Sequence, residues 1–401
     1  MKKYIALLLA LVMVFALAAC GNNGGNNGGG NGGDAAEAED YRVAMITDYG
    51  DITDQSFNQT TYEACKAFCE KNSVDFTYYK PAGDSTADRV AMVEKAVDEG
   101  YNVIVMPGFA FAGTIVAVQD EYSDVKFIAL DVSEYDIMSS FYVDGDMEGD
   151  LIDPDNEPHI ASNVYSAVYQ EELCGYMAGF AAVKLGYEKL GFLGGMAVPA
   201  VIRYGYGFVQ GCDAAAAELG KTVDIKYAYG NQFYGDADIT AAMDTWYADG
   251  TQVVFACGGG IFTSAVDAAK KVDGAKVIGV DVDQAGVIES YAEVEGLTVT
   301  SAMKGLAATV DTMLTETVLN GNWDKFGGKI ENLGLVSGDD PSLNYVGIPM
   351  GEGTQWADGF SVEDYNALVK DMFDGTIKVS NDIENEPAVT AAHVDYLGNI
   401  K

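Results

Sequence analysis

The fold is decided by the stretch VAMITDYGDITDQSFN, residues 43–58. Its apolar start, Val43–Ile46, has the length of a strand that is buried on both faces. Polar and glycine residues follow, and Asp54 then stands where a helix N-cap is expected, because its carboxylate accepts free backbone N–H groups. The stretch therefore predicts a strand, a loop and a helix. The loop would lie at the carboxyl end of a parallel strand, where open α/β sheets bind ligands. Phe57, in the first helical turn, faces either the core or that cleft.

Strand and helix patterns alternate through the rest of the chain in two similar series. In the first, strands are predicted at residues 43–46, 75–79, 103–106 and 126–130, with helices at 55–72, 85–99 and 111–122. In the second, a helix at 170–184 precedes strands at 190–192, 224–227, 253–256 and 276–280 and helices at 209–219, 236–248 and 262–271. Such alternation makes parallel sheets with right-handed crossovers. Two series indicate two α/β lobes rather than one long sheet.

The N-terminus predicts an export signal and a tether. Lys2 and Lys3 precede an apolar segment that is too short to span a bilayer as a mature helix. Residues 17–20, Leu-Ala-Ala-Cys, match a lipobox, and the alternative is an ordinary signal peptide with an unrelated cysteine. Residues 21–33 contain only glycine and asparagine, which cannot form a core. We predict a lipoprotein signal peptide at 1–20, a flexible tether at 21–40, and a lipid on Cys20 that holds the protein at the extracytoplasmic face of the cell membrane.

Composition excludes several classes of function. The 401 residues carry a formal net charge of −38, which argues against nucleic acid as a partner and against binding an anionic surface through basic patches. The five cysteines after Cys20 lack paired spacing, so buried thiols are favoured over a zinc site. Two histidines in the whole chain allow no plausible Ser-His-Asp or Cys-His set. We predict no enzyme activity, no catalytic residue, no cofactor and no metal.

Residues 132–162 interrupt the alternation. They contain nine carboxylates and neither lysine nor arginine. A solvated acidic loop is the main expectation. A calcium-binding loop is the alternative, because hard cations bind clustered carboxylates, although the spacing fits no EF-hand.

Two further features are candidates for a binding site. Gly258-Gly259-Gly260 follows a predicted strand and opens a helix, so its backbone N–H groups could face an anion or a hydroxyl, and the alternative is a tight βα turn. No P-loop or dinucleotide fingerprint accompanies these glycines. Asp281 and Asp283 stand at the end of an apolar strand, and Asp281 is the stronger ligand candidate.

Several segments resemble one protein family. Residues 47–50 and 53–59, with the pattern Thr-Asp-x-Gly and then TDQSFNQ, are similar to the opening signature of the basic membrane protein family of lipoproteins. Further matches occur in family order across about residues 41–330: Gly108-Phe109, Val198-Pro199, Arg203-Tyr204, Gly207-Phe208, Val280–Gln284 and Ser301–Lys304. Members are substrate-binding proteins of ABC importers, and several bind purine nucleosides. The resemblance implies a type I periplasmic binding protein fold, which is α/β with two Rossmann-like lobes joined by a hinge.

The resemblance also implies a site of ten residues. Phe57 and Tyr204 would enclose a base from opposite lobes, and such stacking is favourable. The other members are Asn58 and Asp131 at the polar edge of the base, Asp281, Lys304, Gly258 and Gly259 at the ribose, and Asp48 and Gly108 within the matching segments. Tyr204 stands where the family more often has Phe, Thr53 replaces a frequent Asn, and residues 49–51 replace a Gly-Gly pair. These departures leave the choice of nucleoside open.

The same resemblance implies how the chain is divided and what it does. The N-terminal lobe would contain residues 41–160 and 297–326, with 132–160 as an acidic insertion, and the C-terminal lobe 161–296 and 327–401. We expect a monomer, anchored in the membrane by its lipid, that captures a small-molecule ligand, a nucleoside, and delivers it to an ABC permease. The alternatives are a binding protein for a simple sugar, and a surface sensor or interaction lipoprotein without a transport role. A hydrolase ranks behind both.

Overall fold

The apolar run at residues 43–46 forms a buried strand, as predicted. The computed structural model describes residues 40–142 and 157–401. The predicted signal peptide, Cys20, residues 21–39 of the tether and residues 143–156 of the acidic segment lie outside the described residues. In the part of the chain that is described, no helix is both long and apolar enough to cross a membrane.

The described strands form two sheets. In chain order they are β1 (Arg42–Ile46), β2 (Asp75–Tyr79), β3 (Val103–Pro107), β4 (Lys126–Leu130), β5 (Val164–Tyr169), β6 (Lys189–Gly194), β7 (Val223–Tyr229), β8 (Val253–Cys257), β9 (Lys276–Asp281), β10 (Thr298–Lys304), β11 (Lys329–Leu333), β12 (Val346–Gly347) and β13 (Ala392–Asn399). The first sheet has the order β2-β1-β3-β4-β5-β11 and the second β13-β7-β6-β8-β9-β10-β12. Neighbouring strands are parallel except β12, which is antiparallel to β10. We call the parts built around the two sheets the first and the second lobe.

Helices connect these strands. In chain order they are α1 (Phe57–Asn72), α2 (Thr86–Asp98), α3 (Ala112–Val118), α4 (Glu134–Ser140), α5 (Glu171–Lys184), α6 (Pro199–Leu219), α7 (Ala237–Ala248), α8 (Phe262–Ala269), α9 (Ala285–Ala292), α10 (Leu306–Leu314) and α11 (Val362–Phe373). Successive side chains of β1 enter different cores: Val43 and Met45 pack in the core that includes α1, and Ala44 and Ile46 pack in the core that includes α2. A parallel sheet covered on both faces explains why its strands are continuous apolar runs.

The two sheets repeat one strand order. The series β2-β1-β3-β4-β5 in the first corresponds to β7-β6-β8-β9-β10 in the second. The repeat is visible in the numbering, because Val253 begins β8 and stands 150 positions after Val103, which begins β3. In sheets of this order, ligands bind outside the carboxyl ends of the strands, at the point where the strand order reverses. Each lobe therefore presents one such edge.

The start of α1 shows how the opening stretch folds. The helix begins at Phe57, after Ser56, two residues later than predicted. The carboxylate of Asp54 still accepts hydrogen bonds from the backbone N–H groups of Ser56, Asn58 and Gln59, at 2.9–3.0 Å. Asp54 thus satisfies the open donors of the first turn from just outside the helix. The predicted chemistry is confirmed, and the predicted helix start is wrong.

Helices α5 and α6 touch through their backbones. A Cβ atom at Gly175 would lie 2.2 Å from the carbonyl oxygen of Tyr204, and one at Gly211 would lie 2.0 Å from that of Tyr176. Real Cβ atoms do not approach other atoms so closely. The glycines therefore allow the two helices to pack at a distance that no other residue permits.

Three strands lie in the lobe opposite to the predicted one. β5, assigned to the second lobe with residues 161–296, pairs in parallel with β4 in the first sheet. Residues 297–326 were assigned to the first lobe, but β10 pairs in parallel with β9 in the second sheet. The family resemblance implied the first lobe for this segment, and α9 between β9 and β10 was not predicted. A strand, helix and strand in series form a right-handed crossover that adds the new strand to the same sheet. β11, assigned to the second lobe, pairs with β5 in the first sheet. Helix α10, which follows β10, contacts α1 of the first lobe.

Smaller differences concern helices and cysteines. The acidic segment was expected to be a loop, yet α4 forms in it because Ser133 and Asp136 make a reciprocal capping box. Helix α6 begins at Pro199, ten residues before the predicted start, with proline in the favoured first position. The five cysteines after Cys20 are buried and free, as expected: Cys65, Cys69, Cys174, Cys212 and Cys257.

Candidate functional site

One cavity lies between the carboxyl edges of the two sheets and is lined by all ten predicted site residues. Its empty volume is about 650 Å³, including the open mouth, which lies within the usual range for small-molecule pockets. The predicted residues along its wall are Asp48, Phe57, Asn58, Gly108, Asp131, Tyr204, Gly258, Gly259, Asp281 and Lys304. The structure brings these side chains together, and their contact with a ligand stays a prediction.

Two aspartates occupy equivalent places in the two lobes. Asp131 follows β4 and Asp281 ends β9, again 150 positions apart. Their φ angles are 62° and 65°. Non-glycine residues rarely adopt this left-handed backbone, and aspartate tolerates it better than most. At both places the chain turns sharply away from the strand, and both residues line the cavity.

Two glycines also occupy equivalent places in the two lobes, directly after β3 and β8. Gly108 has a φ of 124°, and a Cβ there would lie 2.3 Å from Oδ2 of Asp48. Gly258 has a φ of 149°, and a Cβ there would lie 3.0 Å from the Cα of Gly195. Both positions need glycine because the backbone is left-handed and another part of the chain approaches closely. Gly108 and Gly258 are therefore required by the local backbone, in addition to the role in the ligand site that was predicted for them.

The amide of Asn58 is held by two carboxylates. Its Nδ2 donates to Asp48 Oδ1 at 3.0 Å and to Asp54 Oδ2 at 3.1 Å. With Nδ2 engaged, Asn58 Oδ1 is buried without a hydrogen-bond partner among the described residues. Burial raises the pKa of Asp54 to about 6 and raises that of Asp48, although the donated hydrogen bonds oppose the shift. This corner of the cavity has an acceptor that lacks a donor.

Lys304 is a buried cation at the centre of the cavity wall. It forms ion pairs with Asp131, with Glu171 at 3.4 Å and with Asp281 at 3.8 Å. Arg203 Nε donates to the far oxygen of Glu171 at 2.7 Å. The Lys304 and Glu171 side chains are 2% and 0% exposed, so this network depends on mutual pairing rather than on water. Asp131 Oδ1 remains buried without a partner in the described part of the chain.

The net pKa shifts of Asp131, Glu171 and Lys304 differ, although all three groups are buried. Burial raises the pKa of Asp131 to about 7, because lost hydration outweighs the attraction of Lys304. Burial also acts on Glu171, but Arg203 and Lys304 outweigh it and hold that pKa below its usual value. Burial lowers the pKa of Lys304, and the surrounding carboxylates more than reverse the effect. Lys304 is therefore a permanent charge, and Asp131 titrates near neutral pH.

Asp281 joins the two lobes. Ser56 Oγ of the first lobe donates to Asp281 Oδ2 at 2.5 Å, and the hydroxyl of Tyr204 donates to Asp281 Oδ1 at 3.3 Å. A second contact runs beside it, since Gln284 Nε2 donates to the backbone carbonyl of Gln55 at 3.0 Å. Together with the ion pair between Lys304 and Asp131, these bonds hold the cleft in a closed arrangement.

The two predicted stacking rings have different surroundings. Phe57 is half-buried, and its ring centre lies 4.7 Å from the Lys304 ammonium. Tyr204 is fully buried, lies 5.6 Å from the same ammonium and meets Phe255 edge-on at 6.0 Å. Both rings line the cavity. Tyr204 also belongs to the core of the second lobe, so its ring has a structural role as well as a place at the cavity.

Sequence reasoning missed several residues of the cavity wall. Phe109 and Phe233 line it from opposite lobes, and Tyr49 lies between them, 5.9 Å from Phe109 and 6.3 Å from Phe233 by ring centres. Phe109 stands in a matching segment and could have been found there, whereas Phe233 follows β7 in a loop without a motif. Glu171 and Arg203 do not line the cavity, but Glu171 pairs with Lys304 of its wall and with Arg203. Arg203 stands in a matching segment, whereas a single carboxylate on a helix, such as Glu171, ordinarily indicates a solvated face.

The comparisons with known proteins agree with this geometry. Residues 41–343 match the family model for Bmp, described as an ABC transporter substrate-binding protein that is PnrA-like. The chain belongs to the Bmp family. It is thus an ABC transporter substrate-binding protein, and this family consists of extracytoplasmic solute-binding proteins rather than enzymes.

Individual relatives are distant. The chain is 28% identical over 61% of its length to "ABC transporter nucleoside-binding protein BmpA" of Lactococcus lactis subsp. cremoris, and the match spans 65% of that protein, less than two thirds. It is 25% identical over 78% of its length to an uncharacterized lipoprotein of Pyrococcus furiosus, of which the match spans 72%.

A solved structure shares the fold. The ABC transporter solute-binding protein of Aeropyrum pernix K1 superposes with a TM-score of 0.60 over 86% of this chain and 88% of its own, at 22% identity. The Bmp-family chain therefore has the type I fold of periplasmic solute-binding proteins, with two α/β lobes around a cleft.

Proposed function

We propose that this Bmp-family protein captures a nucleoside, with a purine favoured, in the cleft between its lobes and delivers it to an ABC importer. The observation that carries the proposal is the pairing of aromatic rings with unpartnered acceptors in one cavity. Phe57 and Tyr204 offer flat apolar faces, and Asn58 Oδ1 and Asp131 Oδ1 are buried without donors among the described residues. A base with N–H groups on its edge would supply both the stacking partner and the donors.

The ribose would lie against the second lobe. Asp281, Lys304 and the backbone at Gly258 and Gly259 line that side of the cavity. In the closed arrangement, both Asp281 oxygens already accept hydrogen bonds from Ser56 and Tyr204. A ribose hydroxyl would therefore share or replace the Ser56 donor, which couples ligand binding to the position of the lobes.

Calorimetry tests the proposal most directly. A purine nucleoside, its free base and ribose are titrated separately into the purified whole chain. We expect the nucleoside to bind most tightly, because it alone uses both halves of the cavity. Phe57→Ala should weaken nucleoside binding by about 1–3 kcal/mol, roughly 5- to 150-fold, with little effect on the thermal stability of the empty protein.

The control is Tyr204→Phe, which keeps the ring and removes only the hydroxyl bonded to Asp281. Truncation of Tyr204 to alanine is unsuitable, because loss of a buried ring costs about 3–5 kcal/mol of stability with or without ligand. Tight ribose binding with no measurable nucleoside binding would replace the proposal by the simple-sugar alternative. Absence of any retained solute after dialysis against a metabolite mixture would favour the sensor alternative.

We propose the lipid anchor on Cys20 from the sequence, with a monomeric protein held near its permease. Cys20→Ala should release the protein from membranes or block its processing. Unchanged membrane fractionation, with no lipid-modified N-terminal peptide in mass spectrometry, contradicts the anchor.

The proposal includes the absence of turnover. Purified protein should leave inosine, adenosine and guanosine intact over hours, because the cavity holds carboxylates and a lysine already paired with one another rather than a base beside a nucleophile. Release of free base in proportion to protein concentration would make the chain an enzyme.

A further inference from the structure

A second cavity lies in the first lobe, at the N-terminal end of α2. Its empty volume is about 1160 Å³, including open solvent. None of the ten predicted site residues lines it, and Phe109 lines both cavities. The polar residues along its wall are Asp84, Ser85, Thr86, Arg89, Asp136, Ser139 and Ser140.

Arg89 is a buried cation at this cavity that has no hydrogen-bonded counterion among the described residues. The residue is 3% exposed, and its Nε and Nη1 atoms have no hydrogen-bond partner within residues 40–142 and 157–401. The guanidinium lies 5.3 Å from the ring centre of Tyr49 and 5.9 Å from that of Phe111. Aromatic faces attract a cation, but they do not replace the hydrogen bonds that five guanidinium N–H groups make in water.

Two neighbouring carboxylates, those of Asp48 and Asp136, are engaged with other groups. Burial raises the pKa of Asp48 and the charge of Arg89 opposes that rise, but Asp48 Oδ1 accepts hydrogen bonds from the backbone N–H of Gly50 and from Asn58 Nδ2, both at 3.0 Å. Asp136 Oδ2 accepts from the backbone N and the hydroxyl of Ser133 at 3.0 and 2.6 Å, as part of the cap of α4. Among the described residues, no carboxylate forms an ion pair with Arg89 within 4 Å. A buried charge in this condition is costly unless another group pairs with it.

A second feature at the cavity also favours negative charge. Helix α2 has 13 residues, and its N-cap Ser85 and its first residue Thr86 line the cavity. The aligned peptide dipoles of a helix place partial positive charge at this end. Arg89 lies one turn further along the same helix, so the guanidinium and the N-terminal end of α2 both favour negative charge in this cavity.

We propose that this cavity binds a small oxyanion, a phosphate or carboxylate group, that pairs with Arg89. Asp84 and Asp136 at the wall oppose an anion, so we expect modest affinity, with Kd on the order of 1 mM. The proposal is independent of the nucleoside site, because the two cavities use different polar residues.

The test uses inorganic phosphate and acetate as separate probes, at constant ionic strength, with the purified whole chain. Calorimetry and thermal melting should show saturable binding of at least one probe, and the two arms tell which oxyanion is preferred. Arg89→Gln should weaken that binding by about tenfold or more. The matched control is Arg42→Gln, which removes an arginine whose side chain is 32% exposed in the same lobe, and it should bind as the wild type does.

A gain-of-function variant covers the case in which Arg89→Gln does not fold. Ser140→Glu brings a carboxylate to the cavity wall, so it should abolish phosphate and acetate binding and raise the melting temperature of the anion-free protein. No saturable binding of either probe by the wild type up to about 10 mM overturns the proposal, as does equal binding by wild type and Arg89→Gln. Nucleoside titration of the same samples reports separately on the main cleft.

Discussion

Asp131 and Asp281 have the same backbone and different partners. Each ends the fourth strand of its repeat in a left-handed conformation, and each pairs with Lys304. Asp281 uses both oxygens within the protein, accepting from Ser56 across the cleft and from Tyr204. Asp131 keeps one buried oxygen without a partner among the described residues. The repeated fold thus places two equivalent carboxylates at the cavity, and their neighbours give them different uses.

The difference assigns separate tasks to the two lobes. The first lobe holds both unpartnered acceptors, on Asn58 and Asp131, and is suited to select the ligand by its donors. The second lobe supplies Lys304 and the carboxylate of Asp281, which hold the lobes together. We expect substitutions to separate ligand selection by the first lobe from closure by the second.

Removal of the shared cation should have the largest effect. Lys304→Met leaves Asp131 and Glu171 buried with less opposing charge, so the free energy of unfolding should fall by about 3–5 kcal/mol at pH 7.5. Urea denaturation measures the change. Lys370→Met is the control, because that side chain is 54% exposed and pairs at the surface. Equal stability of the two variants would show that Lys304 is not needed to pair the buried carboxylates.

The stability lost in Lys304→Met should depend on pH. In the wild type, burial raises the pKa of Asp131 to about 7, above its unfolded value of about 3.9. The folded state therefore binds more protons between these values, and this contribution to stability is lost as pH rises toward 7. Without Lys304 the pKa of Asp131 rises further, and Glu171 loses a cation that lowers its pKa. The deficit should thus be largest at pH 8 and smaller at pH 5, and a deficit independent of pH contradicts this account.

The two aspartates should respond differently to the same substitution. Asp131→Asn should weaken free base and nucleoside alike, by about 1.5–3 kcal/mol, because a charged acceptor is lost from the base edge. Asp281→Asn should weaken the nucleoside more than the base, because its proposed ligand partner is the ribose. Calorimetry with both ligands on both variants makes the comparison. If the ratio of base affinity to nucleoside affinity were the same in both variants, Asp131 and Asp281 would not contact different parts of the ligand.

The bond across the cleft should have the smallest effect. Ser56→Ala removes the hydroxyl that bonds Asp281 and should weaken ligand binding by about 0.5–1.5 kcal/mol, with a more open average shape in small-angle scattering. Thr53→Ala, with an exposed hydroxyl in the same loop, serves as the control. An unchanged scattering profile together with unchanged affinity would mean that Ser56 has no part in closure.

The strands that place Asp131 and Asp281 could be predicted from the sequence, because buried parallel strands are continuous apolar runs. The strands before Asp131 and Asp281 were predicted almost to the residue, at 126–130 and 276–280. Glycines and polar residues after such strands identified the cleft wall, since the carboxyl ends of parallel strands meet at one edge. The family resemblance then selected which of these residues form the proposed site.

What sequence could not supply was pairing across long separations. β10 joins the second sheet after α9, an eight-residue helix with a weak pattern, whereas the family resemblance implied the first lobe for this strand. The link from Ser56 to Asp281 joins residues 225 positions apart, and no local pattern encodes it. Arg203 and Glu171 become a buried pair only after α5 and α6 are placed side by side.

The contact between α5 and α6 has a consequence for the thermodynamics of binding. Helix α6 carries Tyr204 at the cavity, and α5 carries Glu171, which pairs with Lys304 of the cavity wall. The touching backbones of the two helices leave little room for sliding or rotation. A wall with few alternative arrangements loses little conformational entropy when it becomes ordered around a ligand. The entropy lost on closure should therefore come mainly from the first lobe, in the loop before α1 that carries Tyr49 and Asp54.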